Sequence, residues 1–176
     1  GMTALMVKFY NIAEIAEKFD HDSLQMSLDI KTKLRKLTDG DPDAIIFNNC
    51  NKMSEFLIFT SLRTKSLQIF AEKILKEFPL DDYGPVSVIL HEQTGSLDDI
   101  GNIYRDMIVL SKNEAQNIVV ESNGEPYSVK YKNGIKTVGQ MKIGATELAK
   151  NKDNTEPITF VPKKAGYYTF NVQTQG

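Results

Sequence analysis

Leu67, Phe70, Ala71, Ile74, Leu75 and Phe78 fall at i, i+3, i+4, i+7, i+8 and i+11, with Pro79 directly after them. That spacing gathers six side chains on one stripe of an α-helix, and the proline stops it. Leu97, Ile100, Ile103, Tyr104, Met107 and Ile108 form a second stripe, which predicts a helix ending near residue 111. Ser96 followed by Asp99 resembles a capping box at its start. Ile12, Ile15, Ala16 and Phe19, set against Glu14, Glu17 and Lys18, predict a shorter amphipathic helix over 10–20.

Elsewhere the period is two. Leu24, Met26, Leu28 and Ile30 alternate with Gln25, Ser27, Asp29 and Lys31, which predicts a strand over 24–31. A helical pattern through Met26, Ile30, Leu34 and Leu37 fits almost as well. "TDGDPD" (38–43) is a strong turn signal. The apolar runs at 44–47 and 56–60, parted by the polar "NNCNKMSE", predict a hairpin, and "VSVIL" (86–90) reads as a buried strand.

Beyond Asn117 the texture changes to short β-like pieces punctuated by Asn123-Gly124 and Asn133-Gly134, both hairpin-turn dipeptides. The predicted class is α+β: helices packed on a small antiparallel sheet (residues 1–114), followed by a C-terminal β-rich segment or small subdomain (115–176). Charge shifts at the same place. Residues 1–112 carry 13 Lys+Arg and 17 Asp+Glu, a net of -4, and the remainder carries 8 and 6, a net of +2.

The last segment ends in "ITFVPKKAGYYTFNV" (158–172), an alternating strand, a proline, a Lys/Gly turn and a second alternating strand. It resembles the E-to-F strand passage of immunoglobulin-like and filamin-type β-sandwiches. Such sandwiches need about seven strands in roughly 100 residues. Only some sixty residues follow the last predicted helix, and the chain stops four residues after Val172. The resemblance therefore implies a closing hairpin and carries over no fold and no site.

Candidate chemistry is sparse. One cysteine, Cys50, excludes an intramolecular disulfide framework. Cys50 with His21 or His91 is the one conceivable nucleophile–base set, with Asp22, Glu92 or Asn51 to orient it. Asp20, His21, Asp22, His91 and Glu92 are metal-ligand types, yet none sits at a recognised ligand spacing. Asp39, Asp41 and Asp43 begin like a calcium loop, but its sixth and twelfth positions hold Ala44 and Cys50. Phosphate-binding glycine loops and a G-x-S-x-G elbow are absent from the sequence. No pattern calls for a cofactor.

In an extended reading Lys31, Lys33 and Arg35 share one face and could follow phosphates, although no aromatic ring lies between Asp22 and Phe47 for stacking. Tyr127, Tyr131 and Tyr167, among lysines in the C-terminal segment, are candidate partner-binding residues. The expectation is thus a non-enzymatic binding or assembly module using that segment, with a protein partner or a second copy. A small enzyme built around Cys50 or the histidines is the alternative, and nucleic-acid binding through the basic cluster a third. No apolar run approaches the roughly 18 residues of a membrane span, and the start lacks a signal-peptide pattern. A cytoplasmic location is expected, with export without a leader left open.

Overall fold

The computed structural model describes residues 2–48, 53–91, 100–121 and 128–139. Its centre is strand β1, Thr3–Phe9. Antiparallel neighbours flank it, β3 (Glu55–Thr60) on one side and β4 (Val86–His91) on the other. β2 (Ile45–Asn48) pairs with β3 at one edge, and β7 (Gly134–Thr137) lies parallel to β4 at the opposite edge. The sheet order is β2-β3-β1-β4-β7.

Both faces of this sheet are covered. Helices α1 (Ile12–Lys18), α2 (Ser23–Leu37) and α3 (Thr64–Glu77) lie on one side, joined to β4 through the short α4 (Leu80–Tyr83). Leu5, Val7, Phe9, Ile58 and Val88 point toward them. Helix α5 (Ile100–Ala115) lies on the other side and packs Ile103, Met107 and Leu110 against Ala4, Met6, Leu57, Phe59 and Ile89. The chain is an α+β fold, as the pattern predicts, with one parallel strand pair beside three antiparallel ones. Because β1, β3 and β4 are buried on both faces, their sequences are near-continuous apolar runs rather than alternations. Gly84 turns the chain into β4 at φ +74°, and a Cβ there would stand 3.0 Å from Ile15 Cγ1, so only glycine fits.

Residues 24–31 are helical, which corrects the predicted strand. Asp22 caps α2 by accepting a 2.9 Å hydrogen bond from the Leu24 amide. Met26, Ile30 and Leu34 form the buried stripe, while Leu24 and Leu28 are 54% and 51% exposed. The basic stripe dissolves with the strand. At about 100° per residue, Lys33 points roughly opposite Lys31 and Arg35. Its ammonium pairs with Glu77 at 3.4 Å and lies over the Tyr83 ring at 5.4 Å. Tyr83 first, and Glu77 with it, raise the Lys33 pKa.

The acidic turn serves the hairpin. Asp41 accepts hydrogen bonds from the Thr60 hydroxyl (2.6 Å), the Ser61 amide and hydroxyl, and the Asp43 amide. The Thr60 bond is the main reason its carboxyl lies below the usual range. A depressed pKa stabilises the fold above the unfolded value of about 3.9, and that gain vanishes as pH falls through the folded value. Asp41→Asn is therefore expected to cost about 1 kcal/mol at pH 7, discounted for its partial exposure. Urea midpoints of variant and wild type should converge near pH 3, and a gap that persists there would show that charge is not the cause.

Two further expectations meet the chain here. β7, which the sequence assigns to the segment beyond 114, is the fifth strand of the core sheet. Asn133-Gly134 does not turn a hairpin. The Asn133 amide oxygen accepts from Val86 N at 2.9 Å and its nitrogen donates to Phe78 O at 3.3 Å, so the side chain sets β7 beside β4. β5 (Val119–Val120) and β6 (Val129–Lys130) form a separate antiparallel pair. Asn123-Gly124, the Ser96/Asp99 box and the stretch 158–172 lie outside the described residues.

Candidate functional site

Lys8 and Glu55 interrupt otherwise apolar strands, and the register brings them together. Lys8 pairs across strands with Glu55 on β3 and with Ser87 on β4, so the three side chains form a polar row on the α5 side of the sheet. Lys8 Nζ donates to Glu55 Oε2 at 2.9 Å and reaches Ser54 Oγ at 3.4 Å. From α5, the Tyr104 hydroxyl donates to Glu55 Oε1 at 2.5 Å. The Glu55 side chain is 3% exposed and that of Lys8 18%. Burying these charges is tolerable because each is paired and hydrogen-bonded.

Beside this network opens a groove of about 280 Å³. Met6 and Leu57 form its floor, Phe47 and Asn48 of the edge strand form one wall, and Ile100 and Gly101 of α5 form the other, with Glu55 and Tyr104 at the polar end. Phe47 is 44% exposed, and its ring meets Phe59 edge-on, with centroids 5.9 Å apart. Almost all of the lining is apolar, which suits a flat, uncharged body rather than a highly solvated ion.

A second polar cluster holds the other end of α5. Tyr131 OH donates to Glu114 Oε1 at 2.7 Å and lies 2.6 Å from Ser87 Oγ. Asn117 and Lys136 reach the same carboxylate at 3.2 and 3.7 Å. Burial is the main cause raising the Tyr131 pKa, with Glu114 adding to it and Ser87 opposing. Tyr10, its ring 5.9 Å from that of Tyr131, is pushed up to about 12, again by burial first. The Tyr10 hydroxyl is buried and has no hydrogen-bond partner among the described residues. Ser87 is fully buried, so this cluster fastens α5 and β7 and offers no access to a substrate.

The residues singled out by sequence are scattered. Tyr131 turns its hydroxyl into the Ser87–Glu114 cluster, while Tyr127 and Tyr167 lie outside the described residues, as do Cys50 and Glu92. His21, Asp20 and Asp22 sit exposed at the α1–α2 link, where Asp22 is the helix cap. His91 is 7% exposed on the opposite face of the sheet, its Nε2 3.2 Å from Asp106 Oδ2. The two histidines therefore share no site. Among the described residues, no three His, Cys, Asp or Glu side chains gather as metal ligands. Also among them, no helix is long and apolar enough to cross a membrane. The sequence reading does not single out Lys8 or Glu55, and it places Tyr104 on a helix stripe and Phe47 in an apolar run without assigning either a site role. The available signal was a lone charge inside each of two apolar runs, "TALMVKF" and "EFLIFT".

No family description and no curated protein matches the chain. Two solved structures are similar to it. One is the active GGEEF domain of a diguanylate cyclase from Vibrio cholerae, at 15% identity over 78% of this chain and 82% of that one, with a TM-score of 0.48. The other is Vibrio cholerae LapD, an S helix–GGDEF–EAL protein bound to c-di-GMP, at 15% identity and a TM-score of 0.49. There the match covers 85% of this chain but spans only 36% of LapD. Neither pentapeptide, GGEEF nor GGDEF, occurs in this sequence, and the likeness concerns the fold. The expectation of a module working through a Tyr/Lys-rich C-terminal segment is corrected by the fold: β7 of that segment is the fifth strand of the core sheet, and Tyr131 turns inward to Ser87 and Glu114.

Proposed function

We propose that this chain binds a small planar ligand of the nucleotide class in the groove between α5 and the β2–β3–β1 side of the sheet. The observation that carries the reading is the groove itself, with apolar walls on both sides and one buried, hydrogen-bonded carboxylate at its end. Its volume, about 280 Å³, lies at the small end of ligand sites. There is room for a ring system and a short substituent, so the sugar and phosphates of a nucleotide extend outside. At its polar end Glu55 offers carboxylate oxygens as hydrogen-bond acceptors. A cytoplasmic location goes with this reading.

Methyl resonances of Met6, Leu57 and Ile100 report occupancy directly. GTP, ATP and c-di-GMP, the last being the ligand in the LapD structure, are the probes. At least one is expected to shift these methyls while leaving those of Ile30 and Ile74, buried on the far side of the sheet, unmoved. No shift with any of the three at about 1 mM, where even an association of about 4 kcal/mol half-fills the site, overturns the reading.

A further inference from the structure

We propose that Phe47 selects aromatic over aliphatic rings in this groove by stacking, an inference that rests on the groove being the ligand site. Three observations lead to it. Among the described residues, Phe47 is the aromatic ring on the outer wall of the groove and is 44% exposed, a large exposure for a phenylalanine facing an apolar recess. Phe59, fully packed behind it, meets it at an interplanar angle of 85° and so fixes the plane in which its open face is presented. At the polar end, Lys8 and Glu55 neutralise each other 2.9 Å apart, so the part of a ligand that enters is uncharged. A flat neutral ring meets all three conditions. It covers the open face of Phe47, gains the offset-stacking attraction that a puckered ring of equal area lacks, and brings no charge into an apolar slot.

The other aromatic ring among the described lining residues, Tyr104 on the opposite wall, is held at the polar end by its hydroxyl bond to Glu55. Selectivity by stacking therefore falls to Phe47, and it extends to aromatic ligands that are not nucleotides.

Indole, adenosine, guanosine and cyclohexanol, titrated against the Leu57 and Met6 methyl resonances, test this with neutral probes. Wild type is expected to bind the aromatic probes about tenfold more tightly than cyclohexanol, which corresponds to about 1.4 kcal/mol of stacking. Phe47→Leu keeps an apolar wall and should lose that preference, whereas Phe47→Tyr keeps the ring and should retain it. Phe47 is half-exposed on an edge strand, so both variants are expected to fold, and an unchanged urea midpoint checks this. If indole and cyclohexanol bind wild type alike, or if Phe47→Tyr loses aromatic ligands as fully as Phe47→Leu does, the stacking role is wrong while the groove remains a site. If no probe moves the groove resonances, the groove reading itself fails.

Discussion

Lys8→Met is expected to cost the fold about 3 kcal/mol, which for a chain of this size lowers the melting temperature by roughly 6–12 °C. The reason lies in Glu55, whose side chain is 3% exposed. Removing one partner of a buried ion pair leaves the other charge in a medium that solvates it poorly, at a typical cost of about 3–5 kcal/mol. The lower figure applies because the Tyr104 hydroxyl still donates to the carboxylate and because methionine replaces most of the lysine stem. Lys8→Met combined with Glu55→Gln removes both charges, and this double variant should recover more than half of the loss. Urea unfolding of the four species gives the coupling energy directly. A single-variant loss under about 1 kcal/mol, with no coupling, would show that Lys8 does not compensate Glu55.

How much of this was legible in the sequence depends on whether an element buries one face or two. Helix α3 buries Leu67, Phe70, Ala71 and Ile74 and exposes the rest, so its period was plain. β1 buries both faces and shows no alternation to read, so no element is predicted over "TALMVKF". At 24–31 the alternation was real but misleading. Of its four apolar residues only Met26 and Ile30 pack, and Leu24 and Leu28 are left on the solvent side of a helix. Local pattern cannot choose between these readings, because the choice is made by which side meets α1, α3 and the sheet. The turn at 38–43 was read correctly as a turn, but not its purpose, since Thr60 and Ser61 lie about twenty residues away.

The groove was less legible still, for a physical reason. Its polar end joins Lys8 to Glu55 across 47 positions and Tyr104 to Glu55 across 49. Such contacts exist only once strand order and register are fixed. The same contacts set the groove's width. α5 is fastened to the sheet at three points along its length, Tyr104 to Glu55, Asp106 to His91, and Glu114 to Tyr131 and Lys136. Its first turn, carrying Ile100 and Gly101, is thereby held opposite Phe47. The buried polar row is thus tied to the site mechanically: it decides where α5 lies, and α5 decides how wide the opening is.

Phe9→Ala should have the largest effect of any single truncation, about 4–5 kcal/mol, or a melting temperature lower by roughly 8–20 °C. Phe9 is 1% exposed and stands at the centre of an aromatic group. Its ring is edge-on to Phe56 at 5.9 Å and to Phe78 at 5.1 Å, and tilted to Tyr83 at 6.2 Å. Deleting it removes the transfer energy of a whole ring and opens a cavity that β1, paired on both sides, cannot close. The aromatic contacts add to that loss. Phe9→Leu, which keeps most of the volume, should cost well under half as much. Because Phe9 faces α1–α3 while its neighbour Lys8 faces α5, ring binding by folded Phe9→Ala protein at low temperature should match wild type. Lost binding in protein that is still folded would mean that the two faces of β1 are coupled, and that the groove depends on the far core as well as on α5.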